Sequence, residues 1–422
     1  MPASAGVAAA RAETAARAGG GGAARPGLPR LGRRSKFTSL ARARTDPEAA
    51  SRTLERLPEE WADRLAEWGE PRYRAAQVFR WIHQRGVADP AAMTDLPKRL
   101  RARLEEEGLG PLAEVASEHV SDDGTRKLLL SLEDGRTVES VLIPQGSSGA
   151  EDPIGGEEHE EGARPVTQCI SSQVGCAMAC VFCASGMAGL KRHMTAGEIV
   201  SQVLVGRARV AEGQRLRNVV LMGMGEPLHN YDEVARALVL LFHPDGVGLG
   251  TRRVTLSTSG LVPQMDRLGE DFGGRVQLAV SLHVPDDERR SALMPINVKH
   301  PLGELVEAMR RYPLPPRRRI TIEYTLVAGY NDDLEDARRL ARLLSGLRVK
   351  VNLIPMNPVP DNPLGPPSWD VVEAFHDRLW DAGIPTFVRR KKGDDIAAAC
   401  GQLALAGEAK KVRVPLPVIA PR

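Results

Sequence analysis

Between residues 57 and 104 the apolar positions recur at helical spacing. Leu57, Trp61, Leu65 and Trp68 lie about one turn apart, and Asp95-Leu96-Pro97 opens a further helix through Leu100 and Leu104. A small helical unit is expected over residues 50–110. The pattern then changes: Arg126–Leu132 and Thr137–Pro144 read as strands, and Asp134-Gly135 between them is a strong hairpin turn. From residue 166, strand-like and helix-like runs alternate. Strands are expected at Thr167–Ser171, Asn218–Met222, Arg253–Ser257, Val276–Leu282, Ile320–Leu326 and Lys350–Ile354. Helices at Ala196–Val210, Tyr231–Phe242, Leu302–Arg311, Glu335–Leu344 and Trp369–Ala382 lie between most of them. Alternating βα units imply a parallel sheet, and six of them suit an α/β fold built as an open, partial (β/α)6 barrel. Ligands of such a barrel bind at the C-terminal ends of the strands.

Outside these runs the composition shifts. Residues 1–45 are rich in Ala, Gly, Arg and Pro, with nine Arg or Lys and one Glu in the first 44, and read as a disordered basic arm or an over-extended gene start. Residues 145–164 are Gly-, Glu- and Ser-rich, an acidic flexible insertion. The expected organisation is therefore an arm at 1–45, a helical accessory domain at 46–115, a β-hairpin extension at 116–165, the barrel at 166–405 and a tail at 406–422. Net charge is only +3, but the arm and the run Arg389-Arg390-Lys391-Lys392 concentrate positive charge and favour a phosphate-bearing partner; the alternative is a solvated surface. No apolar run approaches the roughly 20 residues needed to span a bilayer.

The five cysteines carry the chemistry. Cys169, Cys176, Cys180 and Cys183 fall within fifteen residues and Cys400 stands far off, with no apolar signal sequence in front. That distribution suits a reducing cytoplasm and cysteines used for metal or reaction. Gly175-Cys-Ala-Met-Ala-Cys-Val-Phe-Cys183 follows the first barrel strand directly. Three thiolates so spaced hold three irons of a cubane and leave the fourth without a protein ligand. An open iron can bind the amino and carboxylate groups of S-adenosylmethionine (SAM) and pass an electron into its sulfonium. A zinc site would want a fourth ligand; His193 lies ten residues on, and no second cysteine pair follows.

At this motif the chain resembles the radical SAM superfamily, and within it the RlmN/Cfr family of rRNA methyltransferases. The likeness runs from about residue 70 to 405. It includes Thr94-Asp-Leu-Pro97, Val138-Glu-Ser-Val141, Cys169-Ile-Ser-Ser-Gln-Val-Gly-Cys176, Met222-Gly-Met-Gly-Glu-Pro-Leu228, Arg253-Val-Thr-Leu-Ser-Thr-Ser-Gly260, Ser281-Leu-His283, Asn352-Leu-Ile-Pro355, Gly393-Asp-Asp-Ile396 and Ala399-Cys-Gly-Gln402. His193 departs from the Asn common in the family, and Ala184-Ser185 from the commoner Ala-Thr.

The resemblance implies a [4Fe–4S] cluster on Cys176, Cys180 and Cys183, and two SAM per turnover. Gly225 and Glu226 are implied to meet the methionine amino group. Ser257, Ser281, Leu282, His283 and Asn357 are implied to hold ribose, carboxylate and adenine. Cys400 is implied to become S-methylcysteine, to lose a hydrogen to a 5′-deoxyadenosyl radical and to add its methylene to an adenine of RNA. Glu139 is implied to accept the proton from carbon 2, and Cys169 to release the product through a transient disulfide with Cys400. The basic run at 389–392 would favour the Cys400 thiolate. Read alone, Cys400 is equally an ordinary cysteine ending an Ala-rich helix, Ile396 to Ala399, and Glu139 a solvated strand residue.

The implied targets are an adenosine of 23S rRNA at the peptidyl-transferase centre and the adenosine 3′ to the anticodon of some tRNAs. A flavodoxin or ferredoxin donor, a monomer and no membrane complete the expectation. The nearest alternative is methylation at carbon 8 of the same rRNA adenosine, an antibiotic-resistance activity. More distant ones are an iron–sulfur electron carrier, which has no use for Cys169, Cys400 or Glu226, and a zinc-holding RNA-binding protein. The cluster reading predicts that Cys180→Ala abolishes both the broad iron–sulfur absorbance and SAM cleavage after anaerobic reconstitution. Full iron content in that variant overturns it.

Overall fold

The computed structural model describes residues 53–110, 113–145, 163–359, 362–389 and 392–403. The expected basic arm, most of the acidic insertion, the tail, and Arg390 and Lys391 lie outside them.

Pro58 presets the first helical φ, and α1 (Pro58–Glu67) turns Trp61, Ala62 and Leu65 inward. α2 (Tyr73–Phe79) runs on into a π-helical turn, Arg80–Gln84, and α3 (Lys98–Glu106) begins after Pro97. Trp61, Val78, Phe79, Ile82, Leu100 and Leu104 are fully buried. This helical unit is keyed to the barrel by Arg236, a buried guanidinium whose Nε donates to the Glu55 carbonyl at 3.0 Å and whose Nη2 pairs with Glu60.

β1 (Ala113–Val120), β2 (Arg126–Leu132) and β3 (Thr137–Pro144) form an antiparallel meander. The sequence pattern predicted only the β2–β3 hairpin. β1 is missed because it is an edge strand, mostly solvated and interrupted by an irregularity between Val115 and Ser117, so no clean alternation survives. β3 then pairs antiparallel with β4 (Arg164–Cys169), Val141 opposite Cys169. The extension is thus continuous with the barrel sheet.

The chain continues through β5 (Gln173–Val174), α4 (Ala184–Ala188), β6 (Arg192–His193), α5 (Ala196–Arg209), β7 (Gln214–Leu221), α6 (Tyr231–Phe242), β8 (Val254–Thr258) and α7 (Val262–Phe272). It ends with β9 (Gln277–Ser281), α8 (Asp287–Leu293), α9 (Leu302–Arg311), β10 (Ile320–Leu326), α10 (Leu334–Leu343), β11 (Val349–Pro355), α11 (Trp369–Asp381) and β12 (Thr386–Val388). The main sheet runs β1-β2-β3-β4-β7-β8-β9-β10-β11-β12, and it is parallel from β4 onward. β5 and β6 make a small ribbon of their own.

The open partial barrel expected from the βα alternation is present, with one parallel strand more than the six expected. β12 has three residues after Pro385, too few to declare a period. Its place at the sheet edge matters, because it delivers Arg389 and the segment carrying Cys400 to the strand ends. Among the described residues no helix is long and apolar enough to cross a membrane.

Removing one partner of a buried charged contact leaves the other stranded, which costs about 3 kcal/mol or more. Arg236→Ala should therefore lower unfolding free energy by about 3 kcal/mol in urea titration and raise hydrogen exchange first over residues 53–67. A change under about 0.5 kcal/mol would mean that apolar packing alone seats the helical unit.

Candidate active site

The loop leaving β4 and the loop leaving β7 lie backbone against backbone. Gly225 has φ +103°, and a Cβ there would sit 2.6 Å from the Gln173 Cβ. Gly175 has φ +78°, and a Cβ there would fall 1.9 Å from the Gly189 carbonyl oxygen. Only glycine fits both the conformation and the approach. Gln173 fastens the two loops: its Oε1 accepts from the Glu226 amide at 2.8 Å, while its Nε2 faces Nδ1 of His193 at 3.0 Å and of His229 at 3.1 Å.

One cavity of about 170 Å³ opens over these loops at the C-terminal strand ends. Its wall includes Cys176, Cys180, Cys183, Gly225, Glu226, Ser257, Ser281, His283, Asn357 and Cys400. These come from several strand-end segments far apart in the chain, so the tertiary fold, not local sequence, brings them together. Leu282 is the exception. Its side chain is fully buried away from the cavity, and only its backbone takes part, donating to the Glu323 carbonyl at 3.1 Å and accepting from Arg290.

Electrostatics fit a cationic cluster on the cysteines. Burial pushes the Cys176 thiol up to about 12 and holds Cys180 and Cys183 above the ordinary thiol range, with the neighbouring thiols adding to the effect. Three thiols so crowded favour the thiolate form only with a positive partner such as iron. Among the described residues no His, Cys, Asp or Glu trio is set to hold a single metal ion. A cubane asks something different, one thiolate on each of three irons.

Glu226 is buried and its carboxylate is well provided for. Oε2 accepts from the Ser259 amide at 2.7 Å and the Ser259 hydroxyl at 2.9 Å, and Oε1 accepts from the Leu228 amide at 3.1 Å. Burial nevertheless raises its pKa above the usual carboxylate value. His283 has φ +58°, a left-handed conformation uncommon for histidine. Its Nδ1 accepts from the Thr325 amide at 2.9 Å, its carbonyl accepts from Asn331, and burial lowers its pKa to about 3, so the ring is neutral. The ring stands edge-on to Phe182, 4.9 Å between centroids, which ties the β9 end to the cysteine loop.

Cys400 lies on the segment after β12. The Ala-rich run before it is not a helix: Asp394–Ile396 make one 3-10 turn, and Ala397 is left-handed. Other elements hold the segment instead. Asn357 Nδ2 donates to the Cys400 carbonyl at 3.0 Å, the Ala184 amide to Gly401 at 2.8 Å and the Ser185 hydroxyl to Leu403 at 2.6 Å. From the meander, Asp123 accepts from the Gly393 amide at 3.1 Å and Ser121 donates to Asp395 at 2.5 Å.

Cys169, at the end of β4, shares with Cys400 a second cavity of about 30 Å³, room for little more than a water molecule. Burial and then the Cys400 thiol push the Cys169 pKa up to about 12, opposed by the positive charge of Arg389. No disulfide is present among the described residues; all five cysteines are free. Glu139 lines neither cavity. Its carbonyl accepts from the Ser171 hydroxyl at 2.7 Å, and its carboxylate is paired with Lys127 at 3.2 Å; Lys127 also donates to the Ala397 carbonyl at 3.3 Å. Far from a solvated strand residue, Glu139 is buried.

The sequence pattern gave no sign of Arg290, Lys127 or the role of Glu323. Arg290 is fully buried and donates to the carbonyls of Leu282, Ser259 and Ser281 and to Asn297 Oδ1, lacing the ends of β8 and β9. In sequence it ends the charged run Asp286-Asp-Glu-Arg-Arg290, which looks like a solvated helix face. Glu323 did leave a signal: it is the one charged residue of Ile320–Leu326.

Comparison with known proteins agrees with this geometry. Residues 170–343 match the radical SAM superfamily, and residues 58–108 match the ribosomal RNA large subunit methyltransferase N-terminal domain. A dual-specificity RNA methyltransferase RlmN of Sorangium cellulosum is 61% identical over 375 residues, 85% of this chain and 96% of that protein. One of Geobacter sulfurreducens is 49% identical, covering 79% and 87%. The crystal structure of a radical SAM methyltransferase from Sphaerobacter thermophilus superposes with a TM-score of 0.76 at 45% identity, over 83% of this chain and 98% of that one.

If the meander turn clamps the Cys400 segment, Asp123→Ala should raise amide exchange across residues 393–403 by roughly tenfold, the loss of about one charge-assisted hydrogen bond. The melting temperature should barely move. Unchanged protection over that segment would mean that the clamp is elsewhere.

Proposed function

Since this chain belongs to the RlmN family of radical SAM RNA methyltransferases, we propose that it methylates carbon 2 of an adenine in RNA. The targets are the adenosine of 23S rRNA at the peptidyl-transferase centre and the adenosine 3′ to the anticodon of some tRNAs. The observation that carries this reading is the placement of Cys400 on the wall of both cavities, beside the three cluster cysteines in one and Cys169 in the other.

A bound [4Fe–4S] cluster and two SAM molecules per turnover would supply the methyl group and a radical able to take hydrogen from an S-methyl. Cys176, Cys180 and Cys183 hold the cluster. Gly225, Glu226, Ser257, Ser281, the His283 turn and Asn357 hold SAM. Carbon 2 of adenine is electron-poor and does not attack a methyl cation donor, which is why carbon–carbon bond formation falls to Cys400: once methylated it adds its methylene to the ring. Glu139 takes the ring proton. Lys127, which pairs with that carboxylate and also donates to the Ala397 carbonyl, connects the base to the Cys400 segment. Once the adduct has given up its unpaired electron, which the oxidised cluster would accept, the Cys169 thiolate bonds to the Cys400 sulfur; the sulfur–methylene bond breaks with its electron pair on carbon, and that carbon takes up a proton, leaving a disulfide and free methylated RNA. Burial and the Cys400 thiol raise the Cys169 pKa and so disfavour the thiolate that the exchange uses. A helical RNA-binding unit preceding the hairpin extension and the barrel, and a small reductase such as flavodoxin or ferredoxin as electron source, belong to the same proposal.

An iron–sulfur carrier has no role for the Cys169–Cys400 pair. Methylation at carbon 8 would use the same residues; kinship with proteins named RlmN supports carbon 2. Anaerobic reaction of reconstituted enzyme with SAM and an rRNA fragment should give 2-methyladenosine by nucleoside mass spectrometry, and 8-methyladenosine would refute the assignment. Cys169→Ala should accumulate a covalent RNA–protein adduct that disappears when Cys400→Ala is added. Normal release of methylated RNA by the single variant would exclude the two-cysteine route.

A further inference from the structure

β10 is buried on both faces, as parallel strands are. Ile320, Ile322, Tyr324 and Leu326 fill the core on one side, and Glu323 points the other way, onto the wall of the larger cavity. It sits between Ser281 of β9 and Asn352 of β11, its register partners. Glu323 Oε1 accepts from Asn352 Nδ2 at 3.1 Å, but Oε2 is buried with no partner. Burial raises the Glu323 pKa, against the charges of Arg389 and Lys350 and the Asn352 bond, which favour the ionised form. A buried carboxylate oxygen left unpaired is costly enough to call for a ligand donor.

The cavity has a second such atom. Asn357 Oδ1 is also buried and unpaired, and it lies beside the apolar Ile354 and Met356. The cluster cysteines and Glu226 occupy the β4–β7 end, where the proposed cofactor's methionine half belongs. Glu323 is three strands from β7, roughly 14 Å along the sheet, which places it at the nucleoside half. That half offers two sets of hydrogen-bond donors, the adenine amino group and the ribose hydroxyls. The apolar slot with an amide acceptor at its rim suits the base and its amino group. The carboxylate deeper in the strand suits hydroxyls.

We propose that Glu323, steadied by Asn352, is a cofactor-binding residue whose Oε2 accepts from the ribose hydroxyls of SAM. The inference rests on the reading of this cavity as the SAM site.

The test is equilibrium calorimetry with S-adenosylhomocysteine, which is not cleaved, and with its 2′-deoxy, 3′-deoxy and 6-deamino forms. Wild type and Glu323→Gln are compared in the cluster-loaded state, with Glu323→Asp as a second, charge-conserving variant and melting curves as the folding check. Wild type should lose roughly 10- to 100-fold affinity on removal of at least one hydroxyl, the range for a hydrogen bond to a charged group. Glu323→Gln should bind the parent compound more weakly by a similar factor and discriminate less than threefold against the deoxy forms. Both should respond alike to loss of the 6-amino group. Wild-type discrimination persisting in Glu323→Gln overturns the proposal, as does a variant that loses its sensitivity only to the 6-amino group. Failure of wild type to bind the parent compound would instead overturn the cofactor reading of the cavity.

Discussion

The contact between the loop after β4 and the loop after β7 has no side-chain layer in it. Gly225 lies on the backbone of Gln173, Gly223 would place a Cβ 2.7 Å from the Ile170 carbonyl oxygen, and the Gln173 side chain closes over the Glu226 amide. This approach sets the pitch of the strand-end loops. It fixes where Cys176 to Cys183 emerge relative to Glu226, and hence the shape of the cavity. A larger residue at either glycine would separate the loops by more than a hydrogen bond tolerates. The cysteine motif supplies thiols; this contact decides where they point.

Around it two groups that are costly to bury, Arg290 and Glu226, are well partnered. Arg290 has four acceptors inside the protein and keeps the ends of β8 and β9 in register. Burial pulls its pKa down to about 10, so it stays charged at neutral pH while it holds those carbonyls. Glu226 receives amide and hydroxyl donors from Ser259 and Leu228. Such networks are rigid, because breaking any bond strands a buried polar atom. Against that background the open oxygens of Glu323 and Asn357 stand out, since the neighbouring Arg290 and Glu226 are so thoroughly satisfied.

The Cys400 segment is held differently. It has little regular structure of its own and borrows its shape from the meander, from α4 and from Asn357. Most of these are single hydrogen bonds to partly exposed groups, each worth about 1 kcal/mol. A segment held by several weak contacts can be seated and still come away, and a residue that must carry a methyl group to RNA and then meet a second thiol has use for both states. Lys127, bonded at once to Glu139 and to Ala397, puts the carboxylate and the segment on one ammonium.

Much of this was legible in the chain. The helical periods of Tyr231–Phe242 and Leu302–Arg311 are strong and local, and the structure reproduces both spans. The βα alternation declared the parallel sheet, and the cysteine spacing, lying in one loop, needed no tertiary information. β1 and β12 were hidden for a physical reason: an edge strand half in water has no second buried face to write a pattern, and three residues cannot define a period. The charged residues were harder still. Arg290 and Lys127 read as surface because charge in sequence says nothing about which carbonyls will converge on it. Glu323 carried a readable oddity, a lone carboxylate in an apolar strand, but not its meaning. The sequence by itself determined the elements and the reactive atoms, because both depend on neighbours a few residues away. Only the tertiary structure decided that Cys169 and Cys400, 231 positions apart in the chain, share one small cavity, and that Glu323 keeps an open oxygen in the larger one, because those facts depend on how strands distant in sequence are laid side by side.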